Sequence, residues 1–454
     1  MNPRARTLAG FAAVAAALAA VGFGQSWSVS LAVLNLCLIS AVMALGVNIQ
    51  WGYAGLFNVG TMAFAGLGGL AAVLVSQPPV HAAAAAGGAE LLLAAGAACL
   101  AAGLIWLVLH SFPRGPFRTL AVAATAVAGY FVIAAFFDPA VEAIEAVDPS
   151  TSGYLGGLGL PVVLSWAVGG LFAAGAAWVI GRVALGLRAD YFAIATLGIS
   201  EIVIAVLKNE DWLARGVKNV TGLDRPVPYE IDLQQTGWFA DVVSQLNAGA
   251  LSAASEAERA ALLRDLVIEA SSIFVKLCYA GLFAAVLLAV LALSERALRS
   301  PWGRMMRAIR DNETAAEALG KDVYARHMQV FVLGSAVIGV AGAMLVTLDG
   351  QFTPNSYHPM RFTFLIWVMV IVGGSGNNLG AVLGGFIVWL SWIEAEPLAL
   401  WTIDALTAAM AADDPLRRHL VEAAAHVRPI LMGLILLLVM RFSPRGVIPE
   451  TVRR

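Results

Sequence analysis

Charge is what this chain has least of. Asp, Glu, Lys and Arg together make up 13% of its 454 residues, against about a quarter in a soluble protein. Hydrophobic residues are 60% and the mean hydropathy is +0.80. A soluble globular domain is excluded; the composition is that of an all-α polytopic membrane protein. Cysteine is also scarce: Cys37, Cys99 and Cys278 lie in apolar runs without paired spacing, so they read as small core residues rather than disulfide or metal ligands. No His-Glu-x-x-His occurs and the six histidines are scattered, which leaves a membrane enzyme without a constellation. No G-x-x-x-x-G-K-[ST] occurs either, since Gly320-Lys321 is followed by Asp322; the chain cannot cradle ATP in a P-loop. A net charge of −2 gives no argument for nucleic acid.

What is present is a series of long apolar runs. Twelve candidate spans fall at 7–24, 27–49, 51–75, 82–109, 118–137, 161–182, 189–207, 271–293, 328–348, 362–375, 379–396 and 428–441. Several are short, so the expectation is ten to twelve transmembrane helices in a single domain over 1–454. The basic start and Ala-rich middle of the N-terminus also fit a signal peptide; a retained first helix is preferred, because a second span begins at once. Arg4 and Arg6, Arg114 and Arg118, Arg182 and Arg188, the loop 294–327, and Arg441, Arg445, Arg453 and Arg454 all fall on one side. By the positive-inside rule that side is the cytoplasm, and both termini are inside. The opposite side receives the insertion 208–270, with six basic and ten acidic residues. Its Ala253–Glu269 part has helical spacing and is expected as a surface helix over the outer mouth, a place for a soluble partner. A second outer segment, 397–427, carries Asp404, Asp413, Asp414, Arg417 and Arg418.

The densest run of mixed charge is Ser300 to His327. Arg296, Arg299, Arg304, Arg307, Arg310, Lys321 and Arg326 lie within or just before it. Ser300-Pro301 is a helix start. Asp311 or Asn312 caps a second helix over Asn312–Leu319, which Gly320 stops. At roughly 12 Å it is too short to span a bilayer and the right size to dock into a groove. Ala315, Ala316, Ala318 and Leu319 are small or apolar; Glu313 and Glu317 sit at i, i+4, a repulsive spacing that a basic partner would relieve.

This stretch resembles the coupling loop of ABC importer permeases, with its Glu-Ala-Ala run followed by Gly. Gly303 to Glu313 resembles the G-R-x-x-R-A-I-R-D-N-E that precedes it in the branched-chain amino acid importer permeases of the LivM type. The resemblance implies an importer permease fold whose coupling helix, with Arg307, Asp311, Glu313, Ala315, Ala316, Glu317 and Gly320, binds a separate ATP-binding cassette subunit. It further implies a second permease subunit in a heterodimer, an extracytoplasmic substrate-binding protein, the inner membrane as location, and no cofactor of the chain's own, ATP being bound by the partner.

Three Gly-broken or polar stretches interrupt the apolar runs: Gly52–Gly69, Asp190–Glu201 and Gly373–Gly385. Such sequence at membrane depth lines a cavity or is packed by protein, and for most of these glycines packing is the better reading. All three resemble family motifs: G-Y-A-G-x-x-S-x-G-x-x-A-F at Gly52–Phe64, D-Y-x-A-I-x-T-L-G-x-x-E at Asp190–Glu201, and G-G-x-G-x-x-x-G at Gly373–Gly380. Asn58 departs from the usual Ser, Thr221-Gly222-Leu223-Asp224 replaces a T-G-G run, and the two outer insertions are longer than the family's. Asn58, Thr61, Thr196, Glu201 and Asn377 are the candidate pathway residues. Glu201 has two readings, a cavity-lining carboxylate or a surface carboxylate paired with Lys208. The resulting expectation is a permease subunit translocating branched-chain or related amino acids. Urea or short amides as substrates, or an ion-coupled secondary transporter, are the alternatives.

Overall fold

The computed structural model describes residues 3–149, 152–253, 255–408, 410–411 and 414–450; Asp413, Arg453 and Arg454 lie outside them. We number the helices used below α1 (Pro3–Gly24), α2 (Trp27–Val47), α3 (Thr61–Ser76), α4 (His81–Ser111), α5 (Pro116–Glu145), α6 (Leu164–Ala184), α7 (Ala189–Asn209), α8 (Glu256–Arg299), α9 (Pro301–Asp311), α10 (Glu313–Ala318), α11 (Val323–Asp349), α12 (Pro359–Gly373), α13 (Asn378–Leu406) and α14 (Val427–Phe442). Among the described residues, ten helical stretches are long and apolar enough to cross a membrane, and α3 and α12 are shorter apolar helices. Every expected span has a helix. The described residues form an all-α, polytopic architecture. Among the described residues one ladder, β1 (Val220–Thr221) against β2 (Gln351–Phe352), pairs Val220 with Phe352 and Thr221 with Gln351.

Helices α2, α3, α11, α12 and α13 form the buried centre, and α6 lies along α3 and α11. Helices α4 and α5 pack mainly on each other. They leave Leu92, Leu100, Trp106, Phe117, Leu120 and Phe131 exposed, as suits a face toward lipid. The short helices α9 and α10 lie at one end, together with Arg6, the turn 374–377 and the tail 443–450. The ladder β1–β2 and the segment 350–358 lie at the other.

Two expectations need correction. Residues 253–269 do not form a separate surface helix: residues 256–269 are the first turns of α8, a helix of 44 residues, about 66 Å long. Nor is 51–75 one span. Helix α2 ends in a π-turn over Asn48–Gly52, residues 55–60 are not helical, and α3 begins only at Thr61.

Candidate functional site

The break between α2 and α3 is a strap of irregular backbone inside the bundle. Lipid offers no hydrogen bonds, so such backbone survives only where protein satisfies it. Gln50 reaches across to α11, its Nε2 donating to Phe331 O and Ser335 Oγ, both at 3.0 Å. Its Oε1 accepts from Asn58 Nδ2 at 2.9 Å, and Asn58 Oδ1 accepts from Gly60 N at 2.9 Å. From α7, Thr196 Oγ1 accepts from Val59 N and Ser200 Oγ from Ala63 N, both at 3.1 Å. From α12, Trp367 Nε1 donates to Asn58 O at 3.1 Å, and Thr61 Oγ1 donates to Thr363 Oγ1 at 2.8 Å. The Trp367 ring also meets Trp51 and Phe57, at centroid distances of 4.7 and 4.6 Å. A Cβ on Gly60 would stand 2.4 Å from Thr196 O, so only glycine lets the strap lie this close to α7.

Beyond the strap, toward the β1–β2 end, is a cavity of 260 Å³ between α2, α3, α11, α12 and α13. Met62, one residue past the strap, forms part of its wall, with Leu36, Ile39, Met43 and Met369. Ser40, Asp349, Gln351, Thr353, Ser356 and Tyr357 supply its polar groups. Thr353 Oγ1 and Trp389 Nε1, both at this cavity, are buried without a hydrogen-bond partner in the protein. Buried donors without partners are costly, and two beside one mostly apolar cavity equip it for a small solute with an apolar body and a polar head.

The sequence-derived pathway residues occupy other places. Asn58, Thr61 and Thr196 are buried and hold the strap, and none lines the cavity. Asn377 caps α13, accepting from Gly380 N at 3.2 Å and donating to Pro449 O at 3.2 Å, at the end of the bundle where α9 and α10 lie. Glu201 is exposed, in an open hollow of 360 Å³ that it shares with Lys208, His358 and Arg361. No ion pair joins it to Lys208 among the described residues, which removes the simple paired reading. Gln50, Ser200, Thr363 and Trp367, which hold the strap, were not singled out from sequence, nor were Asp349, Thr353 and Trp389 at the cavity.

At the opposite end, α9 starts at Ser300-Pro301 as expected, but the Ser300 hydroxyl donates back to Ala297 O at 2.6 Å instead of capping α9. Arg307 Nη2 donates to Leu298 O at 3.0 Å, folding α9 back on the end of α8. Asp311 pairs with its neighbour Arg310 at 3.1 Å. Asn312 caps α10, accepting from Ala315 N at 2.9 Å. Gly320 stops it at φ +74°, with Gly320 N donating to Glu317 O at 2.8 Å and Lys321 N to Ala316 O at 3.1 Å. This 5→2 and 6→1 pair is a Schellman motif. Ala316 was expected to face a partner; it is instead buried against its own chain and seats α10 there. Glu313, Ala315, Glu317 and Leu319 point outward, Leu319 with 79% of its surface exposed.

Residues 111–440 match a protein family described as branched-chain amino acid transport system / permease component. Over 288 residues the chain is 26% identical to the high-affinity branched-chain amino acid transport system permease protein LivM of Escherichia coli K12, covering 63% of this chain and 56% of that one. It is 30% identical over 156 residues to the probable branched-chain amino acid transport permease protein LivM of Methanocaldococcus jannaschii, covering 34% and 42%. The chain thus spans about half the length of the curated relatives it matches. No solved structure matches it.

Proposed function

The chain belongs to the family of branched-chain amino acid transport permease components, and from that premise we propose that it is the membrane-spanning subunit of an ABC importer for branched-chain or related amino acids. Helix α10 is the observation that carries this reading. It is six residues long, capped at both ends, and presents Leu319 and two carboxylates away from the bundle. An exposed Leu on a rigid knob at a membrane protein's polar end fits a groove on another subunit, here an ATP-hydrolysing one. A second permease subunit and a soluble receptor at the β1–β2 end complete the proposed assembly. The docking end faces the cytoplasm, by the positive-inside rule. A cysteine at position 319 should therefore react with an impermeant label only after the membrane is opened.

The experiment is co-purification of the ATPase subunits with Leu319→Asp and Gly320→Val. The first puts a charge into the docking contact. The second places a β-branched residue at a left-handed φ, which strains the helix stop. Both variants should yield a folded permease that loses its ATPase, with transport falling at least tenfold. Full ATPase retention by both would remove α10 from the contact and leave the importer reading without its main support.

In this reading the 260 Å³ cavity is the station that holds the solute before the strap moves. Trp389→Phe keeps the ring and removes the one N–H donor. It should raise the KM for transport up to about tenfold, the equivalent of one lost hydrogen bond, with ATPase binding unaltered. An unchanged KM would place the solute elsewhere.

A further inference from the structure

We propose that Arg310 is the positioning residue through which movement of the docking helices reaches the strap; the proposal rests on the importer reading above. Arg310 lies in the last turn of α9, immediately before Asn312 caps α10. Its side chain leaves the docking surface and turns into the bundle. Nη1 donates to Gly52 O at 2.5 Å, and Nη2 pairs with Glu450 Oε2 of the tail at 3.0 Å. Gly52 is the last residue of the π-turn, two residues before the helical backbone ends at Ala54, a place where carbonyls lose their intrahelical partners. The guanidinium supplies the missing donor. The aliphatic part of Arg310 lies against Gly55 in the strap, which sits at φ +74° and would bring a Cβ to 3.4 Å from Arg310 Cγ.

The same point gathers the neighbouring elements. Asn48, at the start of the π-turn, accepts from Gly376 N at 2.9 Å and donates to Asn378 Oδ1 at 3.1 Å. Asn378 Nδ2 reaches Glu295 Oε1 near the end of α8 at 3.0 Å. The tail adds Val447 N to Val372 O and Ile448 N to Gly373 O, both at 2.8 Å. The two helices that flank the docking knob on its α8 side, the α12–α13 turn and the tail therefore meet at the first residues of the strap. From there Gln50 and Asn58 carry the connection to α11 and along the strap, and Met62 ends it at the cavity wall. A displacement of α9 pulls on Gly52 through a charge-assisted bond, the strong kind, and so acts on the strap that leads to Met62 at the cavity wall.

A Lys cannot replace this fork, because a single ammonium does not present two fixed, planar donor directions to a carbonyl and a carboxylate. A merely structural arginine would lower the amount of assembled complex and leave each complex working normally. A transmitting arginine changes the number of solute molecules moved per ATP hydrolysed. The test uses the full transporter in proteoliposomes with Arg310→Lys, Arg310→Gln and the milder Glu450→Gln, plus the double variant Arg310→Gln/Glu450→Gln. We expect ATPase co-purification unchanged and the transport-to-hydrolysis ratio at least tenfold lower for both Arg310 variants. Glu450→Gln should lower the ratio less, and the double variant should be no worse than Arg310→Gln alone, because both act on one contact. A cysteine in place of the exposed Phe57 should change its labelling rate on ATP binding in the otherwise unaltered protein and not in the Arg310→Gln background. An unchanged ratio in the Arg310 variants, or ATP-dependent labelling that survives in Arg310→Gln, overturns the proposal. Failure of the importer reading shows up separately, as an unsubstituted protein that recruits no ATPase.

Discussion

Gln50→Leu is expected to leave the helical bundle assembled while transport falls more than tenfold. The substitution nearly keeps the side-chain volume, and volume is critical here, because a Cβ on Gly334 would already come within 2.5 Å of Gln50 Cγ. What it removes is polar. Ser335 Oγ loses a donor and Asn58 Nδ2 loses its acceptor, and all three residues are buried. An orphaned buried group costs about 1–3 kcal/mol, and here the cost falls on the strap rather than on the helices, whose own backbone bonds remain. Asn58 then no longer fixes Gly60 N, and the strap loosens at the cavity wall. Transport in proteoliposomes reads the first effect. Faster labelling of a cysteine at position 59 reads the second. Normal transport by Gln50→Leu would mean that the strap is held well enough by Thr196 and Trp367 alone.

The strap also shows what a sequence reveals and what it conceals. Hydropathy located every span, because length and apolar content are local properties of a segment. It could not separate 55–60 from a helix, since Leu56 and Phe57 are as apolar as any helix face. The available signal was Asn58 among glycines at 52, 55 and 60; in the sequence those glycines read as packing and Asn58 as a pathway residue. The bonds that give Asn58, Thr61 and Thr196 their work join residues up to 309 positions apart, and no local pattern carries that pairing. Caps behaved differently. Asn312 and Gly320 act on backbone three to five residues away, so their roles were readable in advance. The direction of Ala316 was not, because a six-residue helix with alanine at 315, 316 and 318 has no apolar side to identify. The cavity was invisible for a similar reason: Asp349, Thr353 and Trp389 are ordinary residues of separate segments until the fold assembles them. The first turns of α8 misled because Ala, Leu, Glu and Arg at helical spacing describe a surface helix and a protruding span equally well.

Gly342→Val should be among the most damaging single substitutions to the fold itself. Helix α11 crosses α3 with no side chain between them. A Cβ on Gly342 would lie 2.0 Å from Ala65 O and 2.7 Å from Ala65 Cα, and one on Gly68 would lie 1.9 Å from Gly339 O. Gly339 in turn faces α6, its Cβ position 2.4 Å from Gly169 O. All of these obstacles are backbone, so no rotamer change relieves them. Close approach through small residues is what holds helices together in a membrane, where lipid is as apolar as leucine and burial alone gives little drive to associate. Prying α11 from α3 loses that packing along the whole seam, at or above the ~1–3 kcal/mol usual for overpacking. The displaced α3 also begins with Thr61 and Met62, so the strap and the cavity wall move with it. Gly175→Val, on α6 where nothing lies within 4 Å, is the matched control. Yield of monodisperse protein in detergent and its thermal unfolding midpoint should drop sharply for Gly342→Val and hold for Gly175→Val. Equal behaviour of the two would contradict the close α3–α11 crossing on which the position of the strap depends.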